Sequence, residues 1–203
     1  MISRPMFALA LTLVLALAPH ASAQRTSPAA PALTVRPAVQ TRVEQALLAI
    51  DTSAPPAFWA SLGSEGLAAL AVILDDGTRP VGLRRRAVVA LGHYDVAPSH
   101  ALLDALARSQ TEDEIVSRRA LDVLATLRGA SALTAIERGL ADPRAVVREG
   151  AAQTLGRLVT EGAIEPASAL RVLAPARARE AETFVRVALD RAIEARPATA
   201  TPR

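Results

Sequence analysis

The residues best suited to chemistry stand close together, as His93-Tyr94-Asp95 and His100. A histidine–aspartate group can move protons or ligate a metal ion. The spacing argues against both. Pro98 lies between the histidines, so a turn separates them, and they do not share a helix face as the pair in H-E-x-x-H does. A metal site needs three or four converging ligands. The group therefore reads as a polar surface turn, with no catalytic residue and no metal ligand assigned. There is no G-x-S-x-G elbow, and no glycine-rich phosphate loop follows a strand. Asp75-Asp76 falls in a turn, and Glu112-Asp113-Glu114 falls at a helix start. Negative charge near a helix N-terminus is worth a few tenths to about 1 kcal/mol, which accounts for the second group without catalysis. Cysteine is absent, which removes disulfides, thiolate metal sites and a cysteine nucleophile.

Arginine is the other candidate. All 23 basic residues are arginine, against 20 acidic ones. Arg84-Arg85-Arg86 and Arg118-Arg119 form two clusters. Arginine holds its proton to very high pH, which raises the pI without implying a large net charge.

The elements that carry these groups repeat. Val147-Arg148-x-x-Ala151-x-x-x-Leu155 matches Leu83-Arg84-x-x-Ala87-x-x-x-Leu91. Val116-Ser117-x-x-Ala120-x-x-x-Leu124 matches with the arginine lost, and Val185-Arg186-x-x-Leu189-x-x-x-Ile193 with the alanine enlarged. The marker position recurs at Ala87, Ala120, Ala151 and Leu189, a period typical of repeat arrays. Apolar residues three and four apart, such as Val147, Ala151, Thr154, Leu155 and Leu158, define one helix face. Hydrophobic residues make up 51% of the chain and aromatics only 2%, which suits closely packed helices rather than sheets.

Each copy follows another short apolar helix, giving four hairpins. They are Ser64–Leu74 with Val81–Tyr94, Ser99–Arg108 with Asp113–Arg128, Ser131–Leu140 with Arg144–Thr160, and Pro166–Leu173 with Glu180–Ala195. Ser99 and Ser131 read as N-caps, and Ala174-Pro175 as a turn. Thr41–Ile50 reads as a further helix, carrying Val43, Leu47 and Ile50 on one face. Phe58 and Trp59 sit in a break over 51–63 and read as a cap on the end of the array rather than a ligand platform.

Residues 1–23 read as a secretory signal: Arg4, an apolar run Met6–Ala18, and Ala21-Ser22-Ala23 with cleavage between Ala23 and Gln24. The run is too short to span a bilayer. Residues 24–40 read as a disordered Pro/Ala-rich linker, 41–63 as a helical cap and turn, 64–195 as the repeat domain and 196–203 as a disordered tail. The expected location is the periplasm or the outside of the cell, with no stable membrane span once the signal is removed.

The stretch Leu140-Ala141-Asp142-Pro143-Arg144-Ala145-Val146-Val147-Arg148, with Ala151, Ala152 and Leu155-Gly156, resembles the HEAT-repeat family, and most closely its bacterial PBS-lyase HEAT-like branch. The resemblance implies an all-α, armadillo-like fold, an α-solenoid of about four HEAT-like helical hairpins with an N-terminal helical cap. It also implies a hydrogen-bonded ladder of Asp142 and Arg148. The position of Asp142 is taken by Thr78, Thr111 and Glu180 in the other repeats, where Glu180 with Arg186 is an available substitute. In such stacks the second helices line the concave face. Register then gives three columns: Arg85, Arg118, Glu149 and Val187; Val89, Asp122, Gln153 and Arg191; His93, Thr126, Arg157 and Ala195. Their mixed sign suits a protein or peptide partner in the cell envelope and not nucleic acid, because a phosphate-tracking face keeps its sign. The expected role is a non-catalytic scaffold without cofactors that binds through these columns. An envelope enzyme or accessory with a site near His93 and His100, and a spacer without a specific partner, remain as alternatives.

Overall fold

A computed structural model describes residues 35–49 and 54–198. The signal segment 1–23 with its Ala23–Gln24 junction, most of the 24–40 linker, Ile50 and the last five residues lie outside them.

Among the described residues the fold is all-α, with nine α-helices, a 3-10 turn and no strand. In chain order they are α1 (Pro37–Leu48), α2 (Pro56–Asp75), α3 (Val81–Leu91), α4 (Ala97–Arg108), α5 (Glu114–Arg128), α6 (Leu133–Leu140), α7 (Ala145–Thr160), α8 (Pro166–Arg179) and α9 (Thr183–Glu194). The turn Gly129–Ala132 precedes α6. Helix α2 packs on α3, α4 on α5, α6 on α7 and α8 on α9, while α3, α5, α7 and α9 pack on one another in sequence. Helix α1 lies against α2 and α3.

The apolar spacing decides which sides meet. Val147, Ala151, Thr154, Leu155 and Leu158 are all buried in α7, as their three-and-four periodicity requires. Helix α5 is buried on two sides. Val116, Ala120 and Leu124 belong to the core shared with α1–α4, and Leu121 and Ala125 to the core shared with α6–α9. Small residues set the helix separations. A Cβ on Gly156 would stand 3.1 Å from the Cα of Ala192, so α7 and α9 touch almost backbone to backbone.

Several boundaries differ from the sequence reading. Pro37–Gln40, assigned to the linker, form the first turn of α1. Proline suits a first helical turn, and Val39 is buried on the same face as Val43 and Leu47. Phe58 and Trp59 lie in a helix rather than a break, because Pro56 opens α2 early. The discontinuity sits at Gly63, whose φ of +52° glycine adopts without penalty. Ser99 is not an N-cap but lies inside α4, buried, with its hydroxyl donating to the Leu91 carbonyl at 3.1 Å. Ser131 lies within the 3-10 turn. Helix α8 runs through Pro175 to Arg179, held past the proline by buried Ala176 and by Arg177, which pairs with Asp190 of α9. In the tail, the Ala198 N–H donates to the Thr160 carbonyl at 2.9 Å.

Among the described helices, α2 alone is long and apolar enough to cross a membrane. Its Leu62, Ala69, Leu70, Ile73 and Leu74 are buried within the protein.

The α7–α9 contact yields a test. Gly156→Val forces two backbones apart and should cost about 1–3 kcal/mol in thermal or urea unfolding. Gly82→Ala, where a Cβ meets nothing within 4 Å, should be neutral or stabilise by less than about 1 kcal/mol. Equal effects from both would mean that α7 and α9 are not in close contact.

Candidate binding face and the arginine ladder at the turns

The turns before α5, α7 and α9 are clamped by three guanidinium groups. Arg84, in the first turn of α3, donates to the Leu74 carbonyl at 2.8 Å and pairs with Glu112, just before α5. Arg148 stands at the equivalent place in α7. It donates to the Asp142 and Pro143 carbonyls, each at 2.9 Å, and forms a two-point pair with Glu180 at 2.7 and 2.9 Å. Both arginines thus close their own hairpin turn and hold the acid of the next.

In α5 the equivalent residue is Ser117, which cannot reach either group. Arg144 fills the gap from the opposite side. Its guanidinium donates to the Ser109 and Glu112 carbonyls at 3.0 and 2.8 Å and pairs with both oxygens of Asp142 at 2.9 Å. A longer contact, 3.4 Å, reaches the Ser117 hydroxyl. The set of partners is the one a ladder arginine at 117 would take: two carbonyls of the preceding turn and the acid of the next.

Asp142 and Arg148 therefore both belong to the ladder, but not as a carboxylate–guanidinium pair. Asp142 pairs with Arg144 and also accepts from Gln110 at 3.3 Å, while Arg148 takes Glu180. Arg186 does not pair with Glu180 and instead donates to Thr183. Burial opposes ionisation of Asp142, but the bonds from Arg144 outweigh it and hold its pKa below the usual value. The bonds from Arg148 pull the pKa of Glu180 from 4.5 down to about 2 against its desolvation.

The predicted columns lie on the row of helices α3, α5, α7 and α9, and much of their polar content is mutually paired. Arg118 donates to Glu149 at 2.9 Å and to Gln153 at 2.6 Å, and Gln153 donates on to Glu149. Gly150 makes room, since a Cβ there would stand 2.4 Å from the Arg118 side chain. Asp122 accepts from Arg119 at 2.8 Å and from Arg157 at 2.9 Å, and Arg157 also reaches Thr126. Arg85 and Arg191 have no salt bridge or side-chain hydrogen bond among the described residues, while Val89 and Val187 are 48% and 42% exposed.

Three grooves run along this row. The first, about 420 Å³, lies between α1, α2, α3 and α5 and includes Trp59, Arg85, Val89 and His93. The second, about 470 Å³, is walled by Arg85, Arg118, Arg119, Asp122, Gln153 and Arg157. The third, about 630 Å³, lies between α7 and α9 and includes Gln153, Phe184, Val187 and Arg191. Arg85 and Arg119 are common to the first two, and Gln153 to the last two.

The histidines do not converge. His93 stacks on Trp59, rings 6.0 Å apart and 10° from parallel, and burial lowers its pKa. His100 contacts Asp95 at 2.8 Å and lines a different cavity, with Asp104, Arg128 and Arg138. Among the described residues no three His, Cys, Asp or Glu side chains are grouped so as to hold a metal ion. Trp59 is 3% exposed and its indole N–H donates to the Ala54 carbonyl at 3.3 Å, so it packs at the end of the row.

Sequence reasoning gave no ladder role to Arg144 or Glu112 and no place on the face to Phe184, and it singled out Arg119 only as part of the Arg118-Arg119 cluster. A signal for Glu112 was present. An acid stands five residues before Val147 and Val185, and four before Val116, so a one-residue shift hid it behind Thr111. Nothing in the repeat text marked Arg144 as a substitute for a residue 27 positions earlier.

No family model matches the chain, and no curated protein matches it.

Two measurements check the ladder. Glu180 holds its proton less readily folded than unfolded. Its stabilisation is therefore complete above about pH 4.5 and is lost as pH falls towards 2. The expected loss is on the order of 1–3 kcal/mol, and Glu180→Gln should flatten that part of a pH–stability curve. Arg144→Ala leaves Asp142 buried with weaker partners and should cost about 2–4 kcal/mol. Adding Ser117→Arg should recover at least half of that cost. If the double variant is no more stable than Arg144→Ala alone, Arg144 does not stand in for a missing ladder arginine.

Proposed function

We propose that this protein is an exported, non-catalytic scaffold: an α-solenoid of four HEAT-like hairpins, capped by α1 and the start of α2, that binds another envelope protein. The binding face is the row α3, α5, α7 and α9. One observation carries this reading: the three grooves share lining residues and so follow one another across all four helices. Solenoids bind partners along such extended surfaces. Exposed Val89, Ile115, Phe184 and Val187 supply apolar contact, and Arg85 and Arg191, exposed and without a salt bridge among the described residues, supply charge. The paired core of Arg118, Glu149, Gln153, Asp122 and Arg157 is pre-organised, which lowers the entropy cost of binding. Export is supported by the n-region, apolar run and A-x-A site of residues 1–23.

The test is in-cell crosslinking of the full-length chain tagged at Arg203, read by mass spectrometry. A mature start at Gln24 and one dominant envelope neighbour are expected. Arg85→Glu with Arg191→Glu should weaken capture about tenfold or more while the circular dichroism spectrum is retained. Adding Arg118→Glu should weaken it further. Capture unchanged in the triple variant would place the binding surface elsewhere, and an unprocessed N-terminus with cytoplasmic neighbours would overturn export.

A further inference from the structure

The first groove differs from the other two in charge. Arg85, Arg86 and Arg119 line it, and among the described residues no carboxylate does. Arg86 is fixed by donating to the Leu47 carbonyl at 2.8 Å, at the C-terminal end of α1. Arg119 pairs, among the described residues, with one acid, Asp122, which it shares with Arg157. Arg85 is exposed and has no partner among the described residues. Three guanidinium groups therefore face one opening, and the one carboxylate that pairs with any of them among the described residues, Asp122, also pairs with Arg157. The rest of the wall is apolar or uncharged: Val89, Ala90, Leu47, the packed Trp59 and His93. A ligand that satisfies both parts carries a carboxylate beside an apolar group.

We propose that this groove is the anchoring end of the scaffold face and takes an acidic peptide segment of a partner protein, with acidic and apolar side chains alternating. One carboxylate lies between Arg85 and Arg119, and the neighbouring apolar side chain covers Val89 in front of the Trp59–His93 stack. This inference rests on the scaffold reading and adds the partner's chemistry. A peptide is favoured over a small anion because Arg85 and Arg119 also wall the second groove, which continues to Arg118 and Arg157. A chain with several carboxylates can follow both, whereas a single small anion occupies one. Nucleic acid is disfavoured because Asp122 and Glu149 interrupt the positive charge, and Trp59, 3% exposed, offers no face for stacking.

Trp59 is the chain's one tryptophan and lines the groove, so its emission reports occupancy. The purified protein is titrated with a blocked hexapeptide of alternating Glu and Leu, with the same peptide carrying Gln for Glu, and with inorganic phosphate. Calorimetry runs in parallel. The Glu-Leu peptide should bind saturably and change Trp59 emission, and added salt should weaken it. Arg85→Glu, at an exposed side chain whose loss leaves folding intact, should weaken it about tenfold or more. Equal binding of the Gln-Leu peptide would overturn the proposal, because charge would not be read. Phosphate that binds as tightly as the peptide would make this a small-anion site and overturn the peptide assignment. Heat of binding without any emission change, or no binding at all, would also overturn it. The broader scaffold reading is judged separately: partner capture in cells that survives Arg85→Glu but falls with Arg191→Glu would keep the face and reject this groove as its anchor.

Discussion

The arrangement depends on guanidinium groups that tie each inter-helix turn to the next. A helical hairpin leaves backbone carbonyls exposed at its turn, and an unpaired polar group in a packed environment costs about 1–3 kcal/mol. Arg84, Arg144 and Arg148 satisfy those carbonyls and, with the same planar head, reach an acid on the adjacent turn. Arginine can do this where lysine cannot, because it presents five N–H donors in a fixed plane. The packing of apolar faces fixes how far apart neighbouring helices lie. The ladder fixes how one hairpin is rotated on the next, because a misrotated turn loses two or three directional bonds at once.

The row of helices that carries this ladder at its turns depends on that rotation. Arg118, Glu149 and Gln153 come from two helices, as do Asp122, Thr126 and Arg157. Their bonds form only when α5 and α7 are in register. Gly150 and Gly156 carry the same constraint: one admits the Arg118 side chain against α7, and the other lets α9 approach it. Most charges on the middle of the face are already paired, and the arginines without a salt bridge among the described residues stand at its ends, with Arg85 on α3 and Arg191 on α9. Positive charge gathers beside α1, where Arg85, Arg86 and Arg119 line one groove and, among the described residues, only Arg119 is paired with an acid, Asp122. The row therefore carries charge and exposed apolar surface at its ends and an internally bonded strip between them.

Much of the secondary structure was legible because helix formation and burial are local in sequence. The recurrence of Val147, Ala151 and Leu155 at helical spacing marked the buried side of α7, and the same text located α3, α5 and α9. Punctuation was less legible. Pro175 reads as a stop and Ser99 as a cap, yet Ala176 and Arg177 draw α8 past the first, and the second is buried inside α4. In both cases contacts with a neighbouring element outweighed a local preference of a few kcal/mol or less. Residues four apart on one helix share a side, which is why register groups Arg118 with Asp122 and Glu149 with Gln153.

By itself the sequence determined that the described chain is helical, where its hairpins fall, and which side of each second helix is buried. Those properties follow from side-chain periodicity along a single element. Only the tertiary structure decided which guanidinium meets which carboxylate. Arg144 takes the place left by Ser117, Arg148 pairs with Glu180, and Arg119 and Arg157 share Asp122. A long, flexible arginine can reach several acids several ångströms apart. The choice among them is made by the separation and rotation of whole helices, which no single stretch of sequence encodes.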